Sequence, residues 1–412
     1  MIGEALMSGS GKGYDVVVVG GGIMGASTAW HLARKGAGRI LLLERTTIAA
    51  GATGKTGALL RQHYTNEPEA LLAHHSFTTF KNWADIVGGD CGHVPHGLVV
   101  TVDMGPGNEA NADRMRKNVA LQNSIGIDSQ VVTPDELKSL QPFACVDDLV
   151  LVAYEPHTGY VDSIAACRSM ISAAMTAGVE VREWCPVAGL SSDGQRVTGV
   201  KTANGEIKTN HVVCAAGPWS SDLLSSVEVQ IPVTALRVQI AIVHRPMELD
   251  QPPFVYLDTA AGMFTRPWGP GRSLIGVGGG DQHDEVDPDG YDERNDLGYA
   301  QLAIDAASRR IPAMSKAVYL HGHAGLYDMT PDAHPIIGAT PLEGLYVAAG
   351  FSGAGFKKGP AVGQCLAELI VDGRSSLVDL EPFRLSRFDT NAWELPWSDT
   401  EYVFSSDFGH KL

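Results

Sequence analysis

The feature that most limits what this chain can fold into is a run of four valines, Val16 to Val19, followed at once by three glycines. β-Branched residues at every position suit a parallel strand covered on both faces, not an alternating half-exposed one. Gly20 to Gly22 turn the chain. Apolar residues at helical spacing then predict a helix over 23–35 closed by Gly36, and ILLL predicts a second parallel strand over 40–43. Gly20, Gly22 and Gly25 therefore spell G-x-G-x-x-G between a strand and a helix. The first glycine permits the tight turn, the second lets a pyrophosphate approach the backbone, and the third lets helix and strand pack closely. The helix N-terminus presents free N–H groups and its positive dipole end to phosphate. Glu44 closes the second strand about 20 residues on, where a carboxylate binds ribose hydroxyls and disfavours a 2′-phosphate. A tight βα turn alone can use glycines for steric reasons only, but strand, helix and terminal acid together define a dinucleotide site. The motif does not separate NAD from FAD.

Beyond this unit the chain leaves the pattern and returns to it twice. A Gly-, Ala- and Thr-rich loop over 46–66 is long enough to call for a functional explanation. Helices are predicted over 67–87 and 108–125, and TPDELKSLQP makes Thr133 an N-cap, with Pro134 first in the helix and Glu136 closing a capping box. A helix over 164–177 and a strand over 179–183 lead into short strands with turns at 192–194 and 204–205, ending in an apolar strand over 212–216. Residues 230–320 read as mostly β, with turns at 252–253, 269–271 and 278–280 and one helix over 297–311. The last section holds a strand over 345–349, a glycine-rich turn and a helix over 361–371, and no internal repeat is evident.

Length and charge bound the function. A chain of 412 residues suggests two or three domains. Its net charge of −16 argues against nucleic acid as a partner. An anionic substrate must then be drawn in by a local group of Arg and Lys against the overall field. The six cysteines show no metal-ligand spacing, so no metal centre is expected and the thiols read as reduced. No apolar run reaches membrane-spanning length and the first residues lack the pattern of a signal peptide, so a cytoplasmic protein is expected.

The split order, with VVVVGGGIMGASTAWHLARKG, AAGATGKTGALLRQHY, VVCAAGPWS, GLYDMTPDAHPIIG and AAGFSGAGFKKGPAVG in that sequence, resembles the D-amino-acid-oxidase-like superfamily of FAD-dependent oxidoreductases. Within it the chain is similar to the sarcosine, dimethylglycine and glycine oxidase branch, including the β subunit of heteromeric sarcosine oxidases. The resemblance runs to about residue 385, and its last two segments are the most specific. It implies an α/β fold: an FAD-binding Rossmann-like domain of the glutathione-reductase type, with an inserted α+β substrate domain on a mostly antiparallel sheet. The expected FAD-binding pieces are 14–88, 155–228 and 321–385, the substrate pieces 89–154 and 229–320, and 386–412 a tail, acidic and aromatic from about residue 391, that is a lid, a partner contact or loose.

For the cofactor the resemblance implies contacts from Gly20, Gly22, Ile23, Met24 and Gly25, and from Glu44 and Arg45. The loop after them contributes Ala52, Thr53, Gly54, Lys55, Thr56, Gly57 and Leu59. Val187, Ala216, Gly217 and Trp219 join from the middle section, and Gly325, Gly353, Gly355, Phe356 and Lys357 from the end. The Gly350–Gly355 turn is expected beside the flavin ring, where backbone N–H groups favour negative charge on the reduced ring.

Arg61 and Lys357 match the pair that in the family binds a substrate carboxylate, a guanidinium gripping bidentately and a lysine adding a point charge. Lys357 is favoured over Lys358. Tyr327 and Tyr64 complete the catalytic candidates, with His63 and Tyr256 weaker; Asp332 and His334 are expected to order a loop. Two departures matter. Monomeric sarcosine oxidases attach flavin through a cysteine where this chain has Gly325, so non-covalent FAD is expected, with attachment through a histidine the alternative that stays open. They also place an oxygen-activating lysine in the strand matching SLIG at 273–276, which has none; the electron acceptor is then O2 or another molecule.

The expected reaction is oxidation of a C–N bond in a small amino acid or N-methyl amino acid, of the sarcosine, dimethylglycine, proline or glycine type. Hydride leaves for flavin N5 and the resulting imine is hydrolysed. The alternatives are a flavin-bearing subunit of a hetero-oligomeric amine dehydrogenase, with partner subunits or further copies of itself, and an FAD-dependent 2-hydroxy acid dehydrogenase.

Overall fold

In a computed structural model that describes residues 13–104, 108–249, 251–278 and 285–389, the chain builds two packed layers around separate sheets. The first sheet has six strands in the order Ile336–Ala339, Leu345–Ala349, Val212–Cys214, Val16–Val19, Ile40–Leu43 and Glu180–Arg182. All its pairings are parallel except that of the outer strand Ile336–Ala339. The valine run explains its own burial. Val16 and Val18 enter the core under one face, Val17 and Val19 the core under the other, and none is more than 6% exposed.

Helix Ile23–Arg34 follows the glycine turn, and Gly36, at φ +71°, ends it in the left-handed region that a glycine adopts without strain. Its small residues let other helices approach closely. Gly363 of helix Gly359–Asp372 lies so near Ser27 that a Cβ there would sit 2.1 Å from the Ser27 hydroxyl, which donates to the Pro360 carbonyl at 3.1 Å. The N- and C-terminal sections are thus locked into one layer, as the split sequence pattern requires. A three-stranded antiparallel sheet, Val187–Ser192, Val197–Thr202 and Gly205–Lys208, packs beside it.

The second layer is an eight-stranded sheet in the order Val318–Met329, Thr234–His244, Arg272–Val277, Met263–Pro267, Val255–Asp258, Leu98–Asp103, Leu149–Glu155 and Gln130–Val132. Its pairings are antiparallel except between Leu98–Asp103 and Val255–Asp258. Helix Tyr299–Arg310 covers one face, burying Ala303, Ile304 and Ala307 against Tyr256 and Ile275. Helix Asn108–Ser124 covers another stretch through Ala112, Met115 and Val119.

Several boundaries differ from the sequence reading, and the limit expected at 154/155 falls inside strand Leu149–Glu155. Strand Val318–Met329 pairs along its length with Thr234–His244, so the domain limit expected at 320/321 falls inside a strand of the second layer. Its first four residues are exposed and its later ones buried, which hides the alternation that would mark a strand. The limit expected at 385/386 also falls inside a packed element. Leu385–Phe388 is a 3-10 turn whose Arg387 is buried, donating from Nε to Asp332 at 2.8 Å. The strand expected over 212–216 stops at Cys214, because Gly217–Trp219 turns into a 3-10 helix. The tail from 390 and the second half of the turn at 278–280 lie outside the described residues. Among the described residues no helix is long and apolar enough to cross a membrane.

Candidate active site

A cleft of about 610 Å³ runs from the first glycine turn to the Gly353–Gly355 turn, within the roughly 300–1,000 Å³ of small-molecule and cofactor sites. At one end, strand Val16–Val19 delivers Gly20 with φ +115° against the Ala215 carbonyl, where a Cβ would lie 2.3 Å from the oxygen. Gly25 sits under the same turn, and a Cβ there would lie 1.9 Å from the Gly20 carbonyl oxygen. Thr53 accepts the Ile23 N–H at 3.0 Å, and Glu44 accepts the Gly21 N–H at 2.7 Å and the Thr46 N–H at 2.9 Å. The acid is thereby fixed at the end of its strand with its carboxylate on the cleft. This backbone cradle, closed to any side chain, fits a pyrophosphate-bearing cofactor with ribose hydroxyls at Glu44. Gly25→Ala should therefore yield protein that loses its flavin, read as the ratio of flavin to protein absorbance after gel filtration.

Of the expected cofactor contacts, Gly20, Gly22, Ile23, Met24, Glu44 and Arg45 line the cleft. So do Ala52, Thr53, Lys55 and Thr56 from the loop, and Val187, Ala216, Gly217 and Trp219 from the middle section. Gly325, Gly353, Gly355 and Phe356 line its other end. Gly25, Gly54, Gly57, Leu59 and Lys357 do not. Gly25 packs under the turn, Gly54 against the Ala49 carbonyl and Gly57 against the Phe264 ring. Leu59 is buried in the core of the second layer and bridges to Tyr160.

The cleft is closed on one side by a segment of the second layer that sequence reasoning did not single out. Asp289 accepts from Arg45 Nη1 at 2.6 Å and from Trp219 Nε1 at 2.8 Å, while the Arg45 guanidinium lies 4.1 Å over the Trp219 ring. Lys55 donates to the Tyr291 hydroxyl at 2.5 Å and pairs with Glu293. At Gly325 a Cβ would touch the Lys55 side chain at 3.0 Å.

At the far end the turn over 350–355 is ordered by Asp328, whose carboxylate accepts the Gly350 N–H at 2.7 Å. Burial pushes this carboxyl up to about 6. Gly353 lets the turn lie flat on Tyr327; a Cβ there would enter the tyrosine ring at 2.6 Å.

The same turn brings the C-terminal lysines to the segment Arg61–Tyr64. The Arg61 guanidinium stacks 4.4 Å from the Tyr64 ring centroid and the Lys358 ammonium lies 4.0 Å from it. Lys357 faces the Tyr64 hydroxyl, and burial, then Arg61 and Lys358, push its amine down to about 8. Tyr327, raised to about 12 by burial, is within electrostatic reach of Arg61. Arg61, Tyr64, Lys357 and Tyr327 thus form one cluster beside the turn.

The two lysines have different surroundings. Lys358 is fully buried and ion-paired with Glu69, whose other oxygen accepts from His334 Nδ1 at 2.8 Å. Asp332 takes the Arg387 guanidinium and the His334 N–H, so both residues of the expected loop-ordering pair hold this turn to the chain around it. Tyr256 lies in the core of the second layer. His63 is buried beside Arg61 and driven down to about 3 by burial first and then by that charge. Among the described residues no group of three or more His, Cys, Asp or Glu side chains could hold a metal ion.

A dinucleotide cleft between a parallel α/β layer and an antiparallel sheet, ending in a cluster of cations and phenols, defines a two-layer flavin-type oxidoreductase. Residues 15–369 match the DAO family, FAD-dependent oxidoreductases, and the chain belongs to that family. It is 31% identical to human mitochondrial sarcosine dehydrogenase over 93% of this chain and 42% of that protein, so it spans about two fifths of this relative's length. It is 27% identical to the sarcosine oxidase β subunit of an Arthrobacter species, over 92% of each. The solved structure of L-proline dehydrogenase from P. horikoshii superposes with a TM-score of 0.82 at 26% identity, covering 92% of this chain and 98% of that one. What that family membership defines is an FAD-dependent oxidoreductase domain over most of the chain.

Proposed function

We propose that this protein oxidises the C–N bond of a small amino acid or N-methyl amino acid. The observation that carries the reading is the buried cation cluster of Arg61 and Lys357 beside the glycine turn, in a chain whose net charge is −16. A guanidinium and an ammonium side by side suit a carboxylate, which the planar guanidinium can bind bidentately while the ammonium adds a point charge. Relatives named for sarcosine, glycine and proline support the same class of substrate.

In this reading Gly20 to Met24, Glu44 and Thr53 hold the FAD, and bound FAD supplies the hydride acceptor. With Gly325 in place of an attaching cysteine, the cofactor is held without a covalent link. Arg61 and Lys357 grip the substrate carboxylate and fix its orientation, while Tyr327 walls the pocket against the glycine turn. Holding the reacting carbon in one pose removes most of the entropic barrier to the step. The amine must reach that step uncharged, since its lone pair forms the C=N bond as hydride leaves the carbon. The imine is then hydrolysed by water. A cytoplasmic location belongs to this reading and is supported by six free cysteines.

The test is anaerobic bleaching of the bound flavin by sarcosine, dimethylglycine, proline, glycine and D-amino acids, with 2-hydroxy acids as the contrasting class. Bleaching by an amino acid, with ammonia, methylamine or formaldehyde as product, supports the reading. Bleaching by hydroxy acids alone rejects it. A second reading is favoured by the similarity over 92% of both chains to a sarcosine oxidase β subunit: the chain acts as the flavin-bearing member of an assembly that passes electrons onward. Dye reduction without oxygen consumption by the isolated chain is the result expected in that case.

A further inference from the structure

Tyr64 stands in surroundings that no structural role demands. Two cations lie close to its ring, the Arg61 guanidinium 4.4 Å and the Lys358 ammonium 4.0 Å from the centroid. Its hydroxyl is buried, and no carbonyl or carboxylate among the described residues accepts its proton. The group at that hydroxyl is instead the Lys357 ammonium. A buried tyrosine normally finds an acceptor. One whose donor side is unused and whose oxygen faces cations is in the environment that favours a phenolate.

The charged groups facing it come from every element around it: Arg61 from its own segment, Lys357 and Lys358 from the 3-10 turn Phe356–Lys358, and Glu69 from helix Glu67–Lys81. Glu69 is already engaged by Lys358, His334 and Asn66, so its charge does little to oppose the three cations. The remaining neighbours, Ala70, Ala73, Ile127 and Ala354, are apolar, and Gln122 reaches only the Tyr64 carbonyl. Ala354 belongs to the 350–355 glycine turn at the far end of the cleft, which Gly353 and Gly355 line, so the phenol and the cleft share a wall.

We propose that Tyr64 is the group that takes the proton from the ammonium nitrogen of the bound amino acid, with Lys357 as the cation that stabilises its phenolate. The inference rests on the amino-acid reading above and supplies the proton step that reading leaves open. One N–H bond of the substrate breaks and the O–H bond of Tyr64 forms, and the electron pair stays on nitrogen. That pair then makes the C=N bond as the carbon loses hydride, a two-electron oxidation of the substrate for which bound FAD would be the acceptor. Burial alone would raise the phenol, but Lys357, Lys358 and Arg61 outweigh it and bring it down to about 8. Lys357 titrates in the same range, so the two groups lose their protons in two coupled steps as pH rises through it.

The experiment compares the holoenzyme with its Tyr64→Phe variant. The rate of anaerobic flavin bleaching is followed from about pH 6 to 10 with the amino acid that bleaches best. In the wild type the rate should rise with pH and level off near about 8. In Tyr64→Phe the rising limb should move up by about one pH unit or more. The rate at neutral pH should fall on the order of 10²-fold and recover in base. An unmoved limb, or an equal loss at all pH, overturns the proposal, because a merely structural tyrosine would act in that way. An ultraviolet difference titration of the wild-type holoenzyme gives a second reading that needs no variant: one tyrosine should ionise near about 8. A titration in which every tyrosine ionises only near its ordinary value of about 10 also overturns it. If no amino acid bleaches the flavin, the functional reading fails while the titration still decides the state of Tyr64.

Discussion

Arg61→Ala should lower kcat/KM for the best amino-acid substrate by roughly 30- to 5,000-fold, the equivalent of about 2–5 kcal/mol for removing one partner of a buried, hydrogen-bonded charge pair. Arg61 lies beside Tyr64, Lys357 and Tyr327, and Tyr327 lines the end of the cleft away from the glycine turn at Gly20. Flavin content should accordingly be retained while substrate affinity and the bleaching rate fall together, since the grip both binds and aligns. Arg61→Lys should recover only part of the loss, because an ammonium cannot reproduce the planar fork. Bleaching kinetics against substrate concentration read both effects. A variant that bleaches as fast as the wild type removes the carboxylate clamp from the mechanism.

Glu69→Ala should destabilise the fold by about 3–5 kcal/mol, because it strands the fully buried Lys358 ammonium without its counter-charge. It also takes the acceptor from His334 Nδ1 and from Asn66. Urea unfolding is the measure, and Lys358→Met in the same chain should restore part of the loss. The pH dependence has a definite sign. The Glu69 carboxyl is held well below its ordinary value by Lys358 and His334, which outweigh its burial. Its contribution is therefore complete above an unfolded carboxyl pKa of about 4.3 and fades as pH falls toward the depressed folded value. Wild type and Glu69→Ala should converge in acid and differ most near neutrality.

What the amino-acid sequence disclosed follows from the range over which its signals act. The valine run and the glycines after it specify strand, turn and helix within a few residues, and Thr133 with Glu136 forms both bonds of a capping box, at 3.2 and 2.7 Å. The resemblance of separated segments added Arg61 and Lys357, which the fold brings to the ring and to the hydroxyl of one tyrosine. Glu69, Asp289 and Asp328 carried no local signal. Glu69 meets His334 across 265 positions and Asp289 meets Arg45 across 244, distances that periodicity cannot span. Asp328 reads as an ordinary acid in a strand until the turn at Gly350 folds over it.

The bridging of the cleft by Asp289, Tyr291 and Glu293 has a consequence for how the holoprotein is assembled. A ligand seated there touches walls contributed by both layers, so occupancy and the docking of one layer on the other are a single linked equilibrium. Loading with flavin should precede or accompany final closure, and chains synthesised under riboflavin shortage should accumulate with that seam unlatched and prone to proteolysis.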